Sequence, residues 1–148
     1  MLSFLKKKVS PYPTESNWSV LQDANGDKRI FIRRNDSAVG FAGHPDFKFR
    51  IGVAIPLIAP TEDGFPTNDE MEQLNVIEDA LTEQLEIEQR ALHVLAITTG
   101  GIREFVFYSR VPASAEAIVE NLRAKISTHA PQSYVTEDAK WELFKQFV

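Results

Sequence analysis

The segment Phe47-Lys48-Phe49-Arg50-Ile51-Gly52-Val53-Ala54-Ile55-Pro56-Leu57 alternates without a break: large apolar residues take the odd positions, and Lys, Arg, Gly, Ala and Pro the even ones. Side chains along a strand alternate between its faces, so this pattern predicts a strand with Phe47, Phe49, Ile51, Val53, Ile55 and Leu57 against a core. The small and basic residues then face away, and Pro56, which has no N–H, falls where the ladder ends or meets an edge. Phe49, Ile51 and Val53 are expected to be buried together.

The rest of the chain must cover that strand. Trp18–Gln22 and Lys28–Arg34 flank Asp23-Ala24-Asn25-Gly26-Asp27. Asn-Gly supplies the positive φ angles of a tight turn, so the two runs read as an N-terminal β-hairpin. Thr67-Asn68-Asp69-Glu70 matches a capping box at a helix start. Met71, Leu74, Ile77, Leu81 and Leu85 then recur at helical steps and draw one buried stripe, with the helix fading near Gln89. Leu92–Thr98 is apolar on both faces, as in a strand covered on both sides. Thr99-Gly100-Gly101 turns it into the strand Ile102–Arg110. A second helix spans 114–127, with Ala115, Ile118, Leu122 and Ile126 inward. Ser133–Thr136 closes the sheet, and a terminal helix presents Trp141, Phe144 and Val148 to the core.

The expectation is one α+β domain over 17–148, behind a flexible N-terminal tail over 1–16. Its antiparallel-dominated sheet carries both main helices on one face, a ferredoxin-like (split βαβ) core extended by the N-terminal hairpin. In that core the strand at 92–98 is an edge, whereas its apolarity asks for cover on both sides. Either the hairpin extends the sheet past it or the strand order differs.

Charge is uneven. Residues 61–89 hold ten acidic side chains and no basic one, against nine basic and five acidic in residues 1–60. Asp79 and Glu83, four apart, repel by a few tenths of a kcal/mol. Such a face is either solvated and paired with arginines from elsewhere in the fold, or complementary to a basic partner. Glu72, Asp79, Glu83 and Glu86 are the candidate partner-binding residues.

Catalytic motifs are missing. The sequence has no phosphate loop, dinucleotide glycine pattern, nucleophile elbow or His-Glu-x-x-His. It has no cysteine, which removes disulfides, thiolate catalysis and zinc-ribbon sites and suits the cytoplasm. His44, His93 and His129 show no shared metal spacing, so no metal and no cofactor are expected. They read as a loop histidine, a core or edge histidine, and a cation at a helix end. Arg103, Glu104 and Tyr108 on the strand after Gly100-Gly101 are candidates for a polar small-molecule site, with cross-strand pairing the plainer account. Gly100-Gly101 serves as a turn or as an anion nest. Nucleic acid is not an expected partner: Phe47 and Phe49 should point inward, too few aromatics remain to stack bases, and the isoelectric point near 5.2 opposes a polyanion. No apolar stretch approaches a membrane span.

Several landmarks together resemble an uncharacterised bacterial family, the domain of unknown function 695. They are Trp18, Arg33-Arg34-Asn35, Glu62-Asp63-Gly64-Phe65-Pro66 before an acidic helix, Ile97-Thr98-Thr99-Gly100-Gly101-Ile102-Arg103-Glu104-Phe105-Val106-Phe107-Tyr108, and Trp141. The likeness covers most of residues 17–147. Some members of that family look like fusions to a domain similar to a regulator of a bacterial ribonuclease. The family has no established activity, so the resemblance assigns no catalytic residue. Asp138-Ala139-Lys140-Trp141 departs from the aspartate-proline-x-tryptophan that the resemblance leads one to expect, with Ala139 in place of the proline.

Two function classes follow. One is a non-enzymatic regulatory or inhibitory module whose acidic helix binds a basic protein. The alternative is a small-molecule-binding or enzymatic domain built around Arg103, Glu104 and Tyr108.

Overall fold

The computed structural model describes residues 11–25 and 28–148, with the backbone alone described at 23–25 and 28. Residues 1–10 of the expected tail, and Gly26 and Asp27 of the expected hairpin turn, lie outside the described residues. Six strands form one sheet: β1 (Trp18–Asn25), β2 (Lys28–Asn35), β3 (Phe49–Pro56), β4 (Ala91–Thr99), β5 (Ile102–Ser109) and β6 (Gln132–Glu137). Their order across the sheet is β1-β2-β4-β5-β3-β6 and every pairing is antiparallel. The hairpin β1–β2 therefore extends the sheet past β4. β4 is thus interior to the sheet, and its apolar residues feed both cores, Ala91 and Ala96 the one beneath the main helices and Leu92, Val94 and Leu95 the one beneath Trp141 and Phe144.

One face is covered by α1 (Asn68–Leu85) and α2 (Ala115–Lys125). Leu74, Ile77, Leu81 and Leu85 of α1 and Val119 of α2 pack on Ile51, Val53, Ile55, Phe105 and Phe107. The opposite face is covered by the C-terminal segment with its short helix α3 (Glu142–Lys145), which brings Trp141 and Phe144 onto Ile32, Leu92, Val94, Val106 and Tyr108. The alternating strand obeys its period from Ile51 onward. Phe47 departs from it: it precedes the first residue of β3 and turns to the second core, where Trp141 Nε1 donates to its carbonyl at 2.8 Å. Phe49 is half-buried rather than buried with Ile51 and Val53. The period rule ends where the ladder ends.

The capping box forms only in part. Thr67 Oγ1 accepts from Glu70 N, but the Glu70 carboxylate turns away to accept from Ile58 N at 2.6 Å and to meet His129 Nε2 at 2.7 Å. His129, expected as a cation at a helix end, is buried in that contact. The chain after β3 and the chain after α2 are thus both tied to the start of α1. Burial raises the Glu70 carboxyl while the Ile58 N–H and His129 lower it, and the balance lies below the usual carboxylate range. Tyr12, within the expected tail, donates to Ala91 O at 2.7 Å. Gly100 and Gly101 both have positive φ, as a tight hairpin turn requires, and Gly101 N–H is spent on Gly64 O at 3.2 Å, which favours the turn over the nest.

At Gly52 the partner strand comes close. A Cβ there would stand 2.1 Å from the Tyr134 ring, so only glycine lets β6 lay that ring over β3. Tyr134 then donates to Glu104 at 2.7 Å, and the Arg50 guanidinium lies 5.7 Å from the ring centre. Asp138 holds the end of the chain: it accepts from Glu142 N at 2.8 Å, from Tyr108 Oη at 2.8 Å and from Arg50 at 2.8 Å. Trp141 itself takes a left-handed backbone turn, at φ 57°, and its ring stacks 4.1 Å from that of Tyr108.

Candidate functional site

The helix-side face of β2 carries Arg29, Phe31 and Arg33 in alternation, and α1 crosses in front of it. Two clefts lie between them. The first, about 620 Å³, is lined by Trp18, Arg33, Asn35 and His93 of the sheet and by Glu78, Asp79, Thr82, Glu83 and Glu86 of α1 and its end. Three of the four sequence-predicted partner-binding residues, Asp79, Glu83 and Glu86, therefore meet in one place. Glu72 lies on the exposed side of α1 and continues their stripe toward the helix start.

The charges in this cleft do not balance. Arg33 is paired with Glu78 at 2.5 Å and lies 5.3 Å from the Trp18 ring. Glu86 accepts from His93 N at 2.8 Å, and burial raises its carboxyl above the usual range. Asp79 and Glu83 are exposed and, among the described residues, make no ion pair. One guanidinium thus faces four carboxylates, a local excess of negative charge at the mouth.

His93 forms the floor. Its Nε2 lies 3.0 Å from Leu95 O, and a carbonyl can only accept, so Nε2 carries the proton. Nδ1 is left as an acceptor facing the Thr82 hydroxyl at 3.5 Å. The ring stacks on Phe107 at 4.5 Å, and burial, with Arg33 adding to it, pushes its pKa down to about 3. A weak base with one nitrogen committed to the backbone is a neutral structural floor. Among the described residues, no three His, Asp or Glu side chains converge to hold a metal ion.

Arg103, Glu104 and Tyr108 are not brought together. Arg103 points to the helix side, where its Nε donates to Thr98 Oγ1 at 2.8 Å. Glu104 and Tyr108 point to the other side, Glu104 to Tyr134 and Tyr108 into the buried bonds with Asp138. The strand period that separates them was legible in the sequence. So was the sharing of one face by Arg29, Phe31 and Arg33. That Trp18 and His93 would complete the acidic cleft depends on β1 and β4 flanking β2, which no local pattern displays.

The model of a family of unknown function, DUF695, matches residues 16–148. The chain belongs to that family. No curated protein and no solved structure matches it. The resemblance seen in Trp18, the Glu62–Pro66 loop and the Thr98–Tyr108 hairpin is therefore a family membership. Those landmarks map onto the cleft wall at Trp18 and onto the turn between β4 and β5. No helix among the described residues is long and apolar enough to cross a membrane.

Proposed function

We propose that this DUF695 chain is a non-enzymatic regulatory or inhibitory binding module, and that its acidic cleft receives basic side chains of a protein partner. The observation that carries this reading is the unrelieved pair Asp79 and Glu83 at the mouth of a cleft whose one arginine is already neutralised by Glu78. A lysine or arginine entering there gains carboxylates that are already in place, with the Trp18 ring as an apolar wall for its methylene stem. A chain without cysteine suits the reducing cytoplasm, where we place this role.

The test uses an arginine-rich peptide and the variant with Glu72, Asp79, Glu83 and Glu86 all replaced by Gln. Glutamine keeps helix propensity nearly constant, and at position 86 an amide oxygen still accepts from His93 N. The peptide should bind the parent with an on-rate that falls as salt rises, and the variant should bind at least about tenfold more slowly. Equal binding by the two proteins, or binding to the parent that ignores salt, rejects the proposal.

A further inference from the structure

The second cleft, about 350 Å³, opens at the other end of α1 and is lined by Arg29, Phe31, Phe65, Pro66, Met71 and Arg103 among others. Its chemistry is the reverse of the first. Two arginines line it and no carboxylate does, and most of the remaining wall is aromatic, prolyl or thioether. Phe31 and Phe65 meet edge to face at 6.4 Å. Arg29 stands at the mouth, half exposed and paired with Asp63 at 3.2 Å.

Arg103 is the outlier. It is 2% exposed, yet its direct partners are a hydroxyl, Thr98 Oγ1 at 2.8 Å, and a thioether, Met71 Sδ at 3.1 Å. Thioether sulfur is a weak acceptor. Among the described residues no carboxylate stands within ion-pair distance of this guanidinium, and its Nη2 has no hydrogen-bond partner. The buried side-chain nitrogen left wholly unsatisfied is a different one, Arg50 Nε, so Arg103 Nη2 is open to the cleft that Arg103 lines. Taking an arginine out of water without a direct ion-pair partner is unfavourable, and burial pulls its pKa down from the ordinary value, with Arg33 adding to the effect and the more distant Glu78 and Glu70 offsetting only part of it. A group held at that cost, aimed into an apolar cleft, is set to meet an anion.

We propose that this cleft binds a small amphipathic carboxylate, its head on the free N–H groups of Arg103 and its apolar body between Phe31, Phe65, Pro66 and Met71. The guanidinium supplies charge-assisted hydrogen bonds that strengthen in a dry site. The walls supply the apolar burial that a free inorganic anion cannot use. The volume suits a short alkyl or single-ring acid.

Hexanoate and benzoate are the probes, with hexanol as the uncharged counterpart of hexanoate, titrated into the full chain by calorimetry and by NMR of the Met71 methyl and the Phe65 ring. Saturable binding of the acids is expected, with shifts at Met71 and Phe65 and with hexanol at least about tenfold weaker. Arg103→Met should erase the preference for hexanoate over hexanol. Should that variant fail to fold, Phe65→Ala, at a half-buried wall position, should weaken hexanoate severalfold while the free protein still melts in one cooperative transition. Equal affinity for hexanoate and hexanol overturns the proposal. So do shifts confined to the Glu78–His93 cleft, or no saturable binding of either acid up to about 10 mM.

Discussion

The two clefts share a wall and a helix and differ in what their arginines meet. At one end of α1, Arg33 meets Glu78 at 2.5 Å, and the carboxylates of Asp79, Glu83 and Glu86 surround the pair. At the other end, Arg103 meets Thr98 and Met71 among aromatic walls. Both belong to the stretch of molecule that holds the ten-to-zero acidic segment, so a charge count along the chain does not give the local field. Direction decides it. Glu70, in the first turn of α1, is turned away to His129 and the backbone of Ile58, so no carboxylate of the helix start lines the second cleft, whereas Glu78, Asp79, Glu83 and Glu86 line the first. An acidic protein thereby keeps a positive cleft.

The largest test removes the seat that both clefts share. Leu81 is fully buried beneath α1, so Leu81→Ala should cost on the order of 2–5 kcal/mol in denaturant unfolding. The NMR signatures of Asp79 and of Met71 should shift together. If only one end of α1 responds, the two clefts do not rest on one rigid helix.

A sharper contrast comes from the arginines themselves. Arg33→Met leaves the mostly buried Glu78 without its partner and should cost about 1–3 kcal/mol. Arg103→Met removes a buried charge that has no direct ion-pair partner, and its stability should stay within about 1 kcal/mol of the parent or rise. Equal losses in urea melts would mean that Arg103 has a compensating partner after all, and the difference between the clefts would vanish.

The smaller test is acid. His93 is held neutral, with its folded pKa at about 3 against an ordinary value of 6.5. A lowered folded pKa means that the unfolded chain takes up a proton first as pH falls below 6.5, so stability should decline from there toward about 3. Glu70 and Asp138, both held below the usual carboxylate range against their burial, add to the loss once pH falls below their ordinary values of 4.5 and 3.8. His93→Gln should flatten the upper part of that decline. An unchanged slope in pH-dependent melts would show that His93 is not the neutral floor of the acidic cleft.

The sequence displays what depends on short spacing. Period two gave β3 from Ile51 onward, three- and four-residue steps gave the α1 stripe Leu74, Ile77, Leu81 and Leu85, and Gly100-Gly101 gave the β4–β5 turn. The double-sided apolarity of Leu92–Thr98 also showed that a bare edge strand does not fit, leaving a hairpin beyond β4 or another strand order, and β2 beside β4 is the outcome. It also showed that acid concentrates in one helix. What it did not display is set by partners distant in the chain. Phe47 joins Trp141, His129 finds Glu70, Asp138 collects Arg50 and Tyr108, and Trp18 and His93 close the cleft over α1. Local periodicity fixes which way a side chain leaves the backbone. Only the packing of strands and helices fixes what stands opposite, and for Arg33 and Arg103 that neighbour separates a neutralised charge from an unmatched one.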